Sequence, residues 1–483
     1  MVYQRVSFTD IDLYGDFWEK RQDINRETTI YSVRDRFEET GRFRAFDMIP
    51  PEQGGVKPHY FWDSDVAKWI ESVAYIIEKH PDPELEQKVE SLIDKIEAHQ
   101  GEDGYFNIYF TVVEPQNRFK NRDAHELYCA GHLIEAAVAW AQATGREKFL
   151  DLMKKYVDYI IQVFVIEKSA AFSTPGHEEI ELALYKLYQY TGERRYLDLA
   201  IHFINTRGTI ESERDLYNQS HCPVREQKTA EGHSVRACYL YTAMADLAAE
   251  TGDAELRKAC ETLFDNIYRK RCYITGGIGS SYQGEAFTID YDLPNAEAYA
   301  ETCAAISLAF FAGRMQRISP NPAYADIIER VMYNGMLSGV SLNGKEFFYE
   351  NPLEIDHARR HRNVSVHDSE HYAPARRQEV FSCSCCPPNI TRFIASIADY
   401  QYTYDQDTVY VHQYMSGVAN FDLYGTSVKI SQKTNYPISG DVDIVVKNMK
   451  GKTLAVRIPF WSKNFTLYLD GGKSDKEIKD GYV

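Results

Sequence analysis

The sequence has no apolar run approaching the roughly 20 residues that a bilayer-crossing helix needs, so no transmembrane helix is expected. It has no basic excess either. Its 54 Lys and Arg stand against 71 Asp and Glu, a formal charge of −17, which argues against nucleic acid or an anionic membrane as partner. The opening stretch MVYQRVSFTDIDLYGDFWEK lacks a basic start followed by an apolar segment, so no secretory leader is expected. Cysteines are few and odd in number: nine, at 129, 222, 238, 260, 272, 303, 383, 385 and 386, spread through helix-like segments. That distribution does not suit a disulfide framework. The expectation is a cytoplasmic protein with reduced thiols, acting on a small molecule that is neutral or cationic.

What is present is core and periodicity. Hydrophobic residues make up 44% of the 483, and 35 Tyr and 24 Phe supply aromatic surface for a core or for sugar stacking. From about 65 to 335 apolar residues recur at helical spacing, as in HELYCAGHLIEAAVAWAQATG (125–145), HEEIELALYKLYQYTG (177–192) and HSVRACYLYTAMADLAAETG (233–252). All three end in Thr-Gly, where Gly145, Gly192 and Gly252 stop the helix in the left-handed conformation. A second amphipathic segment follows each, so a helical hairpin repeats. Irregular repeat intervals and long loops (101–124, 205–232, 272–295) favour a closed (α/α)6 toroid over an open solenoid. After about 400 the period falls to two, in segments separated by Gly, Asn, Asp and Ser. The expected fold is therefore mainly α, an (α/α)6 toroid catalytic domain over 1–400, followed by an antiparallel β-sandwich over 401–483. The pattern is still running at KDGYV, which reads as an incomplete sandwich.

Four groups of residues could carry chemistry. FSCSCCPPN (381–389) packs three cysteines into four positions, poor core packing, and Pro387 predicts that Cys386 sits outside helical geometry on an extended or turning segment. The helix expected from Asn389 onward would aim free N–H groups at the thiols and favour a thiolate. A redox-active vicinal pair is the competing reading. Glu301-Thr302-Cys303 is the second group. Two positions apart on a helix point in nearly opposite directions, so both reach one site only if the helix begins near Glu301. Together Glu301, Cys303, Cys385 and Cys386 offer one carboxylate and three thiolates, a tetrahedral zinc set drawn from distant segments rather than from paired CxxC spacing. The third is Glu285, in the glycine-flanked loop TGGIGSSYQGEAFTIDYDLPN (275–295), which lacks the Gly-Lys-Ser/Thr of a phosphate loop. The fourth is His125, His177 and His233, each opening one of the three Thr-Gly helices. In a toroid, alternate helix starts converge on one mouth. The histidine- and arginine-rich run 355–377 reads as a solvated basic loop.

These residues together resemble glycoside hydrolase family 127, the β-L-arabinofuranosidases. The resemblance rests on GHEEIELAL (176–184), GHSVRA (232–237), GGIGSSYQGEAF (276–287), AYAETCA (298–304), FFYENPLE (347–354) and CSCCPPN (383–389), and covers essentially the whole chain. It implies a retaining exo-hydrolase releasing L-arabinofuranose from a small oligosaccharide or arabinoside. By the same resemblance Cys385 is the nucleophile and Glu285 the acid/base. Glu301, Cys303, Cys385 and Cys386 hold Zn2+, and His125, His177, His233 and Tyr349 bind the sugar. Cys383 has no assigned role, and Phe381 stands where a tryptophan is expected. A homodimer through the sandwich region is the expected assembly. Two other readings remain open on sequence: another toroidal carbohydrate enzyme, such as an epimerase or uronyl hydrolase, and a non-catalytic, zinc-stabilised sugar-binding or redox-sensing protein.

Overall fold

The computed structural model describes residues 2–15, 17–355 and 373–483. Most of the basic run 355–377 lies outside the described residues. Six helices form a closed inner ring: α1 (Trp62–Ile77), α2 (Glu126–Thr144), α3 (Ile180–Thr191), α4 (Ser234–Thr251), α5 (Thr302–Ile318) and α6 (Cys386–Ala395). Each packs on the next, and α6 returns to α1. Second helices lie outside them: Ile30–Glu39, Pro83–His99, Lys148–Ile161, Arg194–Thr206, Ala254–Asn266 and Pro322–Arg330. The fold is an (α/α)6 toroid.

Sequence explains which helix goes where. The inner helices are buried nearly all round, and the outer ones carry an apolar stripe. Gly145, Gly192 and Gly252 cap α2, α3 and α4 at φ 70°, 72° and 70°, as their Thr-Gly endings predict. Gly131 lets α2 and α3 close on each other, since a Cβ there would meet the Ile180 backbone nitrogen at 2.8 Å.

The β-domain holds two four-stranded sheets, β1-β3-β4-β8 and β2-β5-β6-β7, and a two-stranded antiparallel hairpin, Leu467–Leu469 with Gly472–Ser474. The strands of the two sheets are β1 (Gln4–Arg5), β2 (Ile11–Leu13), β3 (Tyr402–Tyr404), β4 (Thr408–Val411), β5 (Gly417–Leu423), β6 (Thr426–Thr434), β7 (Val442–Lys447) and β8 (Thr453–Val456). Inward residues of both sheets, among them Ile11, Tyr402, Val409, Val411, Phe421 and Ile430, share one core. Two features lie beyond the period-two reading: β1 and β2 come from the N-terminus, and β4 pairs with β8 in parallel.

Toroid and sandwich are joined by Arg457, fully buried, which pairs with Asp326 and Glu329 of the outer helix Pro322–Arg330 and donates to the His412 carbonyl at 2.6 Å. Removing one partner of a buried pair strands the other charges. Arg457→Met is therefore expected to cost about 3–5 kcal/mol. Urea unfolding measures this, and a loss under about 1 kcal/mol would show that the ion pairs do not join the domains.

Candidate active site

Inner-helix starts meet at one end of the ring. Glu301 is the N-cap of α5, at φ −56° and ψ 139°, so its side chain and that of Cys303 reach the same point despite their spacing. Its loop is pinned from the neighbouring segment: the Thr302 N–H donates to the Tyr349 carbonyl at 2.9 Å, and Asn351 Nδ2 donates to the Ala300 carbonyl at 2.9 Å. The cysteine loop is held by Arg42, buried, which donates to the carbonyls of Phe381 and Ser382, both at 2.9 Å, and to Asp65 Oδ2 at 2.9 Å.

One expectation is corrected here. Cys386 is not on an extended segment; it is the first residue of α6, and Pro387 and Pro388 occupy the same first turn. Proline is tolerated there because first-turn N–H groups have no intrahelical partner. The same two prolines remove N–H donors from the helix start, so the helix end contributes less to a thiolate than the sequence suggests. The sulfurs do more. Hydrogen bonds from Cys303, Cys383 and Cys386 hold the Cys385 thiol well below the usual thiol range, against the effect of burial. Burial pushes Cys303, Cys386 and Glu301 up.

The four buried groups Glu301, Cys303, Cys385 and Cys386 form a compact cradle. Sulfur–sulfur separations are 3.6 Å (Cys303–Cys385), 3.3 Å (Cys303–Cys386) and 3.8 Å (Cys385–Cys386), and Glu301 Oε1 lies 3.5 and 3.7 Å from the last two sulfurs. A tetrahedral Zn2+ with Zn–S near 2.3 Å and Zn–O near 2.0 Å needs edges of about 3.8 Å between sulfurs and about 3.5 Å from sulfur to oxygen. The cradle fits a zinc ion in donor type and in edge lengths. Glu301 Oε2 is buried without a hydrogen-bond partner, the kind of oxygen a cation would satisfy. Among the four, Cys385 is the most exposed, 8% against 0–2% for the others.

Glu285 sits on a short turn at φ 52°, with Oε2 2.9 Å from His233 Nε2. His233 caps α4 by accepting the Val235 and Arg236 N–H groups at Nδ1 (3.2 and 3.4 Å), which leaves its proton on Nε2 and aimed at Glu285. Burial pushes Glu285 up, but His233 outweighs it and holds the carboxyl below its usual range. His125, His177 and His233 stand in a row, ring centroids 5.4 Å apart at each step. His125 and His233 are helix N-caps, and His177 lies three residues before α3. Burial and then Arg236 keep His125 (to about 3) and His177 neutral, suited to hydroxyl hydrogen bonds.

All of these groups except Cys386 line one cavity of about 400 Å3. Tyr349 takes an unexpected place: its hydroxyl lies 3.4 Å from Cys385 Sγ and 3.8 Å from Cys383 Sγ, so it touches the cysteine cluster itself. Cys383 is in the wall, outside the cradle. Sequence reasoning missed Asp65, Tyr128, Tyr217, Arg236 and Tyr299 in the lining. Tyr128 and Arg236 could have been found, since each lies three residues after a site histidine and so on its helix face. A second cavity, about 450 Å3, opens at the other end of the ring. Its Arg392 and Lys186 are paired with Glu71 and Glu135, and Arg314 and Arg317 with Asp246.

Comparison with known proteins agrees with this geometry. The family model described as "Beta-L-arabinofuranosidase, GH127 catalytic domain" matches residues 10–399, and the corresponding middle-domain model matches 408–483. The non-reducing end β-L-arabinofuranosidase of Bifidobacterium longum subsp. longum is 38% identical over 462 residues, covering 88% of this chain and 68% of that one. The solved GH127 β-L-arabinofuranosidase of Geobacillus stearothermophilus T6 superposes with a TM-score of 0.90 at 44% identity, over 98% of this chain and 78% of that one. Another solved GH127 β-arabinofuranosidase gives 0.91 at 36% identity, over 99% and 78%. With its toroid, middle domain and cradle all in place, this chain belongs to glycoside hydrolase family 127 and is a glycoside hydrolase.

Proposed function

We propose that the chain is an exo-acting, retaining β-L-arabinofuranosidase in which Cys385 is the nucleophile and Glu285 the acid/base. Glu301, Cys303, Cys385 and Cys386 would hold Zn2+. One observation carries this reading: of three sulfurs gathered within 3.8 Å of one another, Cys385 is the most exposed, and it lines the cavity that also holds Glu285 and the three histidines. When bound, the zinc keeps the sulfurs ionised and fixes the direction of Cys385.

The protein's own groups do the rest. His125, His177 and His233 orient the ring hydroxyls of a single furanose, and a cavity of this size closed by histidines suits removal of a terminal sugar. Glu285 gives a proton to the glycosidic oxygen as Cys385 Sγ takes the anomeric carbon and the C–O bond breaks. Glu285, now a carboxylate held by His233, takes a proton from water. The water oxygen attacks the anomeric carbon, and the C–S electron pair returns to sulfur. Two inversions give net retention, as in carboxylate-based retaining enzymes.

Glu285→Gln tests the assignment. The kcat/KM for a methyl or sugar aglycone is expected to fall by about 10²–10⁴-fold, and that for a dinitrophenyl aglycone, which leaves without protonation, much less, while kcat falls for both because the second step lacks its base. Azide should restore turnover and give the β-configured glycosyl azide. Equal losses for every leaving group, with no azide effect, would remove Glu285 from this role.

A further inference from the structure

The cradle raises a question of charge. Three thiolates and a carboxylate carry four negative charges, and a divalent cation offsets two of them. Two remain in a site that is almost wholly buried, where uncompensated charge is costly. Arg42 does not fill the gap, since it pairs with Asp65 and two loop carbonyls. Among the described residues another buried cation is Lys68, on α1 one turn beyond Ser64 and Asp65 of the cavity wall. It lies one turn before Ser72, whose hydroxyl donates to the Pro388 carbonyl at 3.2 Å in the first turn after Cys385. Lys68 is 1% exposed. Among the described residues it forms no ion pair with a carboxylate; its ammonium donates to Tyr128 OH at 2.9 Å and lies 5.2 Å from the centre of that ring. Burial works against its charge, while the sulfurs of Cys385 and Cys303, and then Asp65, restore it and keep it an ammonium ion. Tyr128 holds it in place: this ring packs 4.1 Å from His177 and lines the same cavity.

We infer that Lys68 is a positioning residue that acts through its charge on Cys385, stabilising the thiolate that departs when the glycosyl–sulfur bond breaks. This rests on the proposed cysteine nucleophile and deepens it. A thiolate bonded to carbon is a poor leaving group in proportion to its basicity, so the second step, not the first, is where a fixed cation near the site matters. In that step water adds to the anomeric carbon, its proton goes to Glu285, and the C–S electron pair returns to Cys385. A residue that only filled the core would affect both steps alike.

Lys68→Met keeps the volume and removes the charge. With p-nitrophenyl β-L-arabinofuranoside, the variant is expected to release one equivalent of nitrophenol in a burst and then turn over on the order of 30-fold more slowly than the parent. Intact mass during turnover should show an arabinosyl adduct on most molecules, and zinc content should match the parent. Lys68→Arg should abolish the burst. Should Lys68→Met fail to fold, Tyr128→Phe, which removes the hydrogen bond that Tyr128 accepts from the ammonium, should show the same accumulation in weaker form. A variant slowed without burst or adduct, or one slowed only by loss of zinc, would overturn the inference. A parent that carries no zinc, or never forms an adduct under any quench, would instead overturn the cysteine mechanism itself.

Discussion

Cys385→Ala is expected to lower kcat/KM on an aryl β-L-arabinofuranoside by at least about 10⁴-fold. The size follows from what is lost. The other sulfurs of the cradle are more deeply buried, and no other nucleophile of the described cavity lies against Tyr349 and within the sulfur cluster as Cys385 does. Cys385→Ser should do little better, because a hydroxyl is a far weaker nucleophile than a thiolate and a poorer zinc ligand. Zinc content must be measured beside activity, since Cys385 is also a candidate ligand. A variant with more than about one hundredth of parental activity would exclude sulfur as the nucleophile.

Removal of Glu301 separates the metal's role from that of the nucleophile. Glu301→Ala leaves all three sulfurs and takes away the carboxylate that would complete a tetrahedral zinc site. Zinc is expected to fall from one per chain to a small fraction, and activity by on the order of 10³-fold. Thermal stability should fall too, because three mutually close thiols would be left buried without the ion that binds them together. Cys383→Ser, outside the cradle, should leave zinc content unchanged. Full activity in a zinc-free Glu301→Ala would show that Cys385 needs no metal to react.

Much of this was legible in the sequence, for definable reasons. Thr-Gly endings at 145, 192 and 252 state helix stops directly, and the structure has left-handed caps at each. The odd spacing of Glu301 and Cys303 required a helix beginning near Glu301 or an irregular first turn, and α5 begins at Thr302 with Glu301 as its cap. What local patterns could not show is what depends on closure of the ring. Pro387 and Pro388 read as helix breakers, yet they stand in the first turn of α6, where no N–H is needed. Asp65, Lys68 and Glu71 carry charge yet are all buried in α1, because their partners Arg42, Tyr128 and Arg392 come from other segments of the toroid, which no local pattern shows. The pairing of β1 and β2 with strands some 400 residues away is likewise invisible to a local window.

The central claim is that a sugar passes through a covalent bond to Cys385. Glu285→Gln, given dinitrophenyl β-L-arabinofuranoside and quenched in acid within the first turnover, tests it most directly, because the first step needs no acid and the second lacks its base. Peptide mass mapping should place one arabinosyl group on Cys385 alone. An adduct on another residue, or none together with a product of inverted configuration, would contradict the account.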